Sequence, residues 1–176
     1  MTSGTVTLVG GNVGIARVIS TTSTSAALDW VISGNGSTTE SVGTFNFGSF
    51  SGSGNFFANN GVSGNTVYSV GGTNNDATYS GVLAQSGTNS SLSLVKIGTG
   101  AWTLSGVNTF ASTGTGAAST TTVRDGSLIA GTNALSGAAG AFGNSTTAIA
   151  LGDATTISSG TAMNPKLLTG GAFTVG

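Results

Sequence analysis

Five carboxylates, Asp29, Glu40, Asp76, Asp125 and Asp153, and four cations, Arg17, Lys96, Arg124 and Lys166, are all the charged chemistry this chain has. It holds no histidine and no cysteine. Those absences remove Ser-His-Asp and Cys-His nucleophilic catalysis and the commonest transition-metal ligand. The enzymatic chemistry left is general acid–base work by paired carboxylates, as in glycoside cleavage. Such a pair needs two acids on one face, and the five acids fall singly, none at i, i+2 on one strand. Asp125 adjoins Arg124 in a turn-like Arg124-Asp125-Gly126. The acids therefore read as solvated turn residues, and no catalytic residue is assigned.

Two glycine-rich stretches invite a phosphate-loop reading, residues 52–54 (GSG) and 98–100 (GTG). A phosphate loop opens a helix and carries a Lys-Ser or Lys-Thr pair, and neither stretch does. Both read as corner glycines. Residues 71–76 (GGTNND) are similar to a calcium-binding β-roll turn, but that site needs repeated acidic nonapeptides and the pattern occurs once here. The segment reads as a turn, and the expectation is a chain without metal or cofactor.

The elements that would position these residues are set by composition. Glycine, serine, threonine and asparagine fill 99 of 176 positions, while nine residues are charged and one is proline. Disordered chains usually combine low hydrophobicity with high net charge, and here 38% of residues are hydrophobic and the net charge is −1. A folded chain with a hydroxyl- and amide-covered surface follows. The four cations are too dispersed to form a basic stripe, which argues against nucleic acid as a partner. No apolar run approaches the length of a membrane helix, so this segment is not expected to insert in a membrane. Residues 2–11 lack the basic start and apolar stretch of a secretory signal, so any export signal is expected outside this chain.

Short alternating runs predict strands at Thr5–Val9, Val13–Ile19, Ala26–Ile32, Thr44–Phe50, Thr66–Val70, Ala77–Ala84, Leu92–Ile97 and Ala101–Leu104. The series continues at Thr121–Val123, Ser127–Ala130, Ala148–Leu151, Lys166–Leu168 and Ala172–Val175. Gly- and Asn-rich turns separate them. Ala134–Phe142 holds two internal glycines and reads as a loop or a single turn rather than a helix. Many short strands suit either an antiparallel β-sandwich or a parallel β-helix. A sandwich exposes a wet face that usually carries charge, particularly on its edges. In a β-helix, equivalent residues stack about 4.8 Å apart, and uncharged Ser, Thr, Asn and Val tolerate that neighbourhood. The composition favours the β-helix. Phe45, Phe47, Phe50, Phe56 and Phe57 cluster within thirteen positions. Phe45 and Phe47 share a strand face, which reads as a core stack in preference to an exposed sugar-binding strip.

Residues 92–110 read LSLVKIGTGAWTLSGVNTF, and the pattern resumes as TTVRDGSLIAG over residues 121–131. This resembles the autotransporter-associated β-strand repeat of passenger regions in bacterial surface proteins. Its motif runs from an apolar strand ending in Lys through a Gly-x-Gly corner, a Thr-Leu-x-Gly strand and Asn-Thr-aromatic to Thr-Thr-Val and Gly-x-Leu. Lys96, Gly98, Gly100, Thr103, Leu104, Gly106, Asn108, Thr109, Phe110, Thr121, Thr122, Val123, Gly126 and Leu128 occupy those places. Trp102 departs from the pattern, which has a small or hydroxyl residue there, and residues 111–120 lengthen a connection and read as an exposed loop. The upstream run from Tyr79 to Leu83 is similar to the strand that often precedes the repeat. The physical reading agrees: Gly98 and Gly100 turn a corner, and Leu92, Leu94 and Ile97, then Trp102 and Leu104, face inward if the corner resets the phase.

The resemblance implies an all-β, right-handed parallel β-helix and a scaffold role, with no catalytic residue. The chain is expected to be one module over residues 1–176, its clearest motif at 79–131, located outside the cell or on the bacterial surface. The leading functional expectation is a passenger stalk or scaffold that associates with itself end to end, or with neighbouring repeats of a longer chain, since strand-like pattern begins at Thr5 and still runs at Val175. An adhesin or glycan-binding module that uses residues 111–120 against a surface glycan or host receptor is the alternative. A polysaccharide-active enzyme stands third.

Overall fold

The computed structural model describes residues 4–8, 13–15, 28–32, 36–38, 43–58, 63–85, 88–111, 114, 117–134, 138–144, 149–154 and 163–171. The strands found there build three sheets. The first contains β1 (Gly4–Leu8), β3 (Leu28–Ile32), β6 (Ser49–Gly52), β9 (Ala77–Tyr79), β12 (Ala101–Leu104), β14 (Ser127–Ala130) and β16 (Lys166–Thr169), in that order. The second stacks β2 (Val13–Ile15), β4 (Gly36–Thr38), β7 (Phe56–Ala58) and β10 (Leu83–Gln85). The third stacks β5 (Gly43–Phe47), β8 (Gly64–Val70), β11 (Ser90–Lys96), β13 (Thr121–Val123) and β15 (Ile149–Leu151).

Strands next to each other in sequence fall in different sheets, and each strand pairs with one a full coil away. Gly52 meets Tyr79, Ala77 meets Trp102 and Trp102 meets Leu128, steps of 27, 25 and 26 residues. Every strand pair among the described residues is parallel; an isolated antiparallel bridge joins Asn108 and Gly140 outside the strands. The chain is a parallel β-solenoid, and the sandwich alternative is excluded because, among the described residues, sequential strands do not pair as hairpins.

Stacking turns period-two alternation into columns. Phe45, Tyr68, Leu94 and Thr121 form one inner column, and Phe47, Val70, Lys96 and Val123 form the next; all eight are buried. Phe45 and Phe47 are core, as their spacing predicts, and Phe50 and Phe56 join them, while Phe57 lies on the other side of its strand, half-buried. Phe47 meets Phe50 edge-on at 4.9 Å between ring centres, and Phe50 meets Phe56 at 5.3 Å. These geometries suit the ring quadrupoles and add to simple burial. No helix among the described residues is long and apolar enough to cross a membrane.

Three differences from the sequence reading share one cause. Thr44–Phe50 reads as one strand but divides into β5 and β6 at Gly48, and Ala77–Ala84 divides into β9 and β10 around Gly81. The three-residue strands β4 and β7 lie where turn chemistry or nothing is expected. In a solenoid, ladders on both sides hold a segment too short to show a period, and a single glycine turns the corner between sheets. Residues 134–142, expected as a loop, include the buried Ala134, Gly140, Ala141 and Phe142. Arg17, Glu40 and the strand expected at Ala172–Val175 lie outside the described residues.

Candidate functional site at the glycine corners

The third sheet hands the chain to the first at a corner that each coil repeats, and Lys96 sits at its centre. Leu92, Leu94 and Lys96 alternate on one face of β11 and all are buried, Lys96 to 1% exposure. Ile97, expected to point inward, is half-buried instead, because the strand keeps strict alternation one residue further than a greasy reading of the sequence supposes. A lysine can end an inner column here because the corner supplies acceptors. Its Nζ donates to the carbonyls of Ile97 at 2.6 Å, Gly98 at 2.7 Å and Asp125 at 3.3 Å. The first two belong to its own coil and the third to the next, so one ammonium ties two coils. Burial pushes its pKa down to about 8, against the opposing pull of the Asp125 and Asp76 carboxylates.

The glycines of this corner are there because coils touch through their backbones. A Cβ on Gly98 would lie 2.1 Å from the Gly71 carbonyl oxygen, and one on Gly126 would lie 2.4 Å from that of Gly98. Both also hold positive φ, 69° and 66°. Gly100 approaches the backbone carbonyls of Asn74 and Asn75 in the same way. A second glycine column marks the corner from the first sheet to the second, where a Cβ on Gly81 would lie 1.9 Å from Gly54 O and one on Gly106 1.9 Å from Gly81 O.

The other residues of the motif are placed as consistently. Trp102, Leu104, Val123 and Leu128 point into the core, and Thr122 lies on the outer side, half-buried. Phe110 is buried, and the Gly143 backbone packs against its ring. Asn108, fully buried, accepts a 2.8 Å hydrogen bond from Leu83 N through Oδ1 and donates one of 2.6 Å to Ala141 O through Nδ2. One side chain thus satisfies backbone groups of the coils on either side of it. Of residues 111–120, Gly114, Ala117, Ala118 and Thr120 are exposed as expected, while Ser119 is buried.

Charges dispersed in sequence converge at the Lys96 corner. Asp76, Lys96, Arg124, Asp125, Asp153 and Lys166 all lie on connections between the third and first sheets or at the strand ends that bound them. Asp76 Oδ1 accepts from Ala101 N at 2.7 Å, and Asp125 Oδ1 accepts from Gly126 N at 2.8 Å and Asn164 N at 3.1 Å. Arg124 Nε and Asp153 Oδ2 pair at 2.6 Å. The sequence reading of lone solvated acids is corrected here: Asp125 and Asp153 occupy the same corner of consecutive coils. Their separation, close to the coil period, is the signal that would have found this. The acids are engaged with backbone N–H groups and an arginine, and no cluster of three metal-ligating side chains occurs among the described residues. What the arrangement does chemically is hold one coil on the next.

No protein-family model, curated protein or solved structure matches this chain.

Proposed function

We propose that the chain is a structural module of a bacterial surface protein, a stalk or scaffold whose work is extension and display. The observation that supports this most is the use made of Lys96. A buried amine with a lowered pKa beside two carboxylates has the make-up of a reactive group. Here its ammonium is enclosed by three backbone carbonyls at 1% exposure, a position from which it ties coils and reaches no substrate. Asn108 and the corner glycines serve the same end. The motif similar to the autotransporter-associated repeat adds the cell surface as the setting.

The test is location. Antibodies raised against the purified chain should label intact cells of the producing organism, and immunogold particles should lie outside the outer boundary of the cell. Labelling confined to permeabilised cells overturns the reading. The sugar-binding strip that the phenylalanine cluster could have offered an adhesin is not supported, since Phe45, Phe47, Phe50 and Phe56 are core and Phe57 is half-buried.

A further inference from the structure

We infer that copies of this chain join head to tail, the β16 edge of one copy receiving the β1 edge of the next as a further parallel rung. This rests on the scaffold reading and names its partner as a second copy.

β1 and β16 are opposite edges of one sheet in which all strands run the same way, and among the described residues no strand lies beyond either. A translation along the stack with the sheet's ordinary twist sets β1 of a second copy beside β16 in the same sense as the ladders within the molecule. Two like ends cannot do this. A twofold axis across the stack either reverses strand direction or turns the inner face out, so the contact has to be heterologous, and a heterologous contact repeats.

The register follows from the columns. Leu8, Ile32, Gly52, Tyr79, Leu104, Ala130 and Thr169 stand at one column position, and Val6, Trp30, Phe50, Trp102, Leu128 and Leu167 belong to the column two residues earlier. Joining copies sets Val6 on Leu167 and Leu8 on Thr169. Among the described residues, the β16 end is open and apolar. Leu151 continues the inner column of Val70, Lys96 and Val123, yet it is 56% exposed; Ile149 and Leu167 are half-buried, and Leu168, in the outer row of Thr103 and Ile129, is 44% exposed. β1 has no charged residue, and Lys166 is the one charge on β16. Charged edge residues ordinarily block such pairing, and here little stands in its way.

Sedimentation of the 176-residue chain tests the inference, together with two blocked variants whose folding is verified by circular dichroism. One carries Leu151→Lys and Leu168→Lys at the β16 end, the other Val6→Lys on β1. The unmodified chain is expected to gain mass steadily with concentration, and each variant to stay monomeric alone. An equimolar mixture of the two is expected to form dimers and nothing larger, because one free end of each kind remains. Dispersed monomers of the unmodified chain at millimolar concentration overturn the inference, as does growth of the mixture past dimers. If a variant does not fold, the unmodified chain still decides. Failure here leaves surface labelling untouched, so the scaffold reading falls or stands separately.

Discussion

The indole Nε1 of Trp102 donates a 2.9 Å hydrogen bond to the carbonyl oxygen of Phe50, two coils away across the small side chain of Ala77. The reach has a cause in the ladder. β6 and β9 pair only at Gly52 and Tyr79, so the sheet opens beside Phe50 and its carbonyl is met by the indole. The tryptophan that departs from the repeat pattern thus closes a gap in the sheet.

Trp102→Phe keeps an aromatic ring in the column and removes the donor. Leaving the buried Phe50 carbonyl unmet should cost about 2 kcal/mol. Urea unfolding followed by circular dichroism measures it; an unchanged midpoint means the indole is not needed there.

Gly106→Ala tests whether coils touch through backbone. The added Cβ would lie 1.9 Å from Gly81 O, and backbone cannot move aside as a flexible side chain can. A loss of about 3 kcal/mol is expected, at the upper end of ordinary overpacking. Thr78→Ala, on an exposed outer position one coil away, should change stability by less than about 0.5 kcal/mol. Equal effects from the two variants would contradict the close approach.

How much of this could be read in the sequence divides by period. Phe45 and Phe47, or Leu92 and Leu94, sit two apart and reveal a buried face within five residues, so strand identity and core were legible. The scarcity of charge on the strands pointed to stacked rows, and parallel ladders were the outcome. Corners were harder. Gly48 turns the chain in one residue and Gly81 sits in a connection of three, too short to break an alternating pattern visibly. The charged corner was hidden for another reason: Asp125 meets the ammonium of Lys96, and Asp153 meets Arg124, only once the length of a coil is known. Sequence spacing inside a strand says nothing about that length. The partners of Lys96 are backbone carbonyls, which leave no mark in residue types.

Stability should rise with pH through the range where Lys96 titrates. Its pKa is about 8 in the folded chain and 10.5 for an ordinary lysine. Between those values the unfolded chain binds more protons than the folded one, so raising the pH favours folding, by about 3 kcal/mol over the whole interval. Tyr79 works in the opposite direction. Burial raises its pKa above the ordinary 10.0, so the folded chain retains a proton that the unfolded chain gives up, and stability falls as pH climbs past 10. Urea midpoints should therefore increase from pH 8 to about pH 10 and then level or decline. Lys96→Met should abolish the rise, whatever it does to stability at pH 7; a rise that survives the substitution assigns it to another group.

Asn108 offers a sharper pH test, because one atom decides it. In Asn108→Asp, Oδ1 can still accept from Leu83 N, but the group facing Ala141 O changes from an N–H donor to an oxygen. As a carboxylate, that oxygen opposes the carbonyl and carries a charge into a fully buried site, and breaking this tie should cost about 3 kcal/mol at pH 7. As a carboxylic acid it regains a proton to donate. The folded variant therefore holds its proton to higher pH than the unfolded one, and its stability relative to the parent should recover as pH falls from 7 to 4. Parallel urea titrations of parent and variant at the two pH values measure the difference. A deficit equal at both would mean that the lost donor to Ala141 is not what the substitution damages.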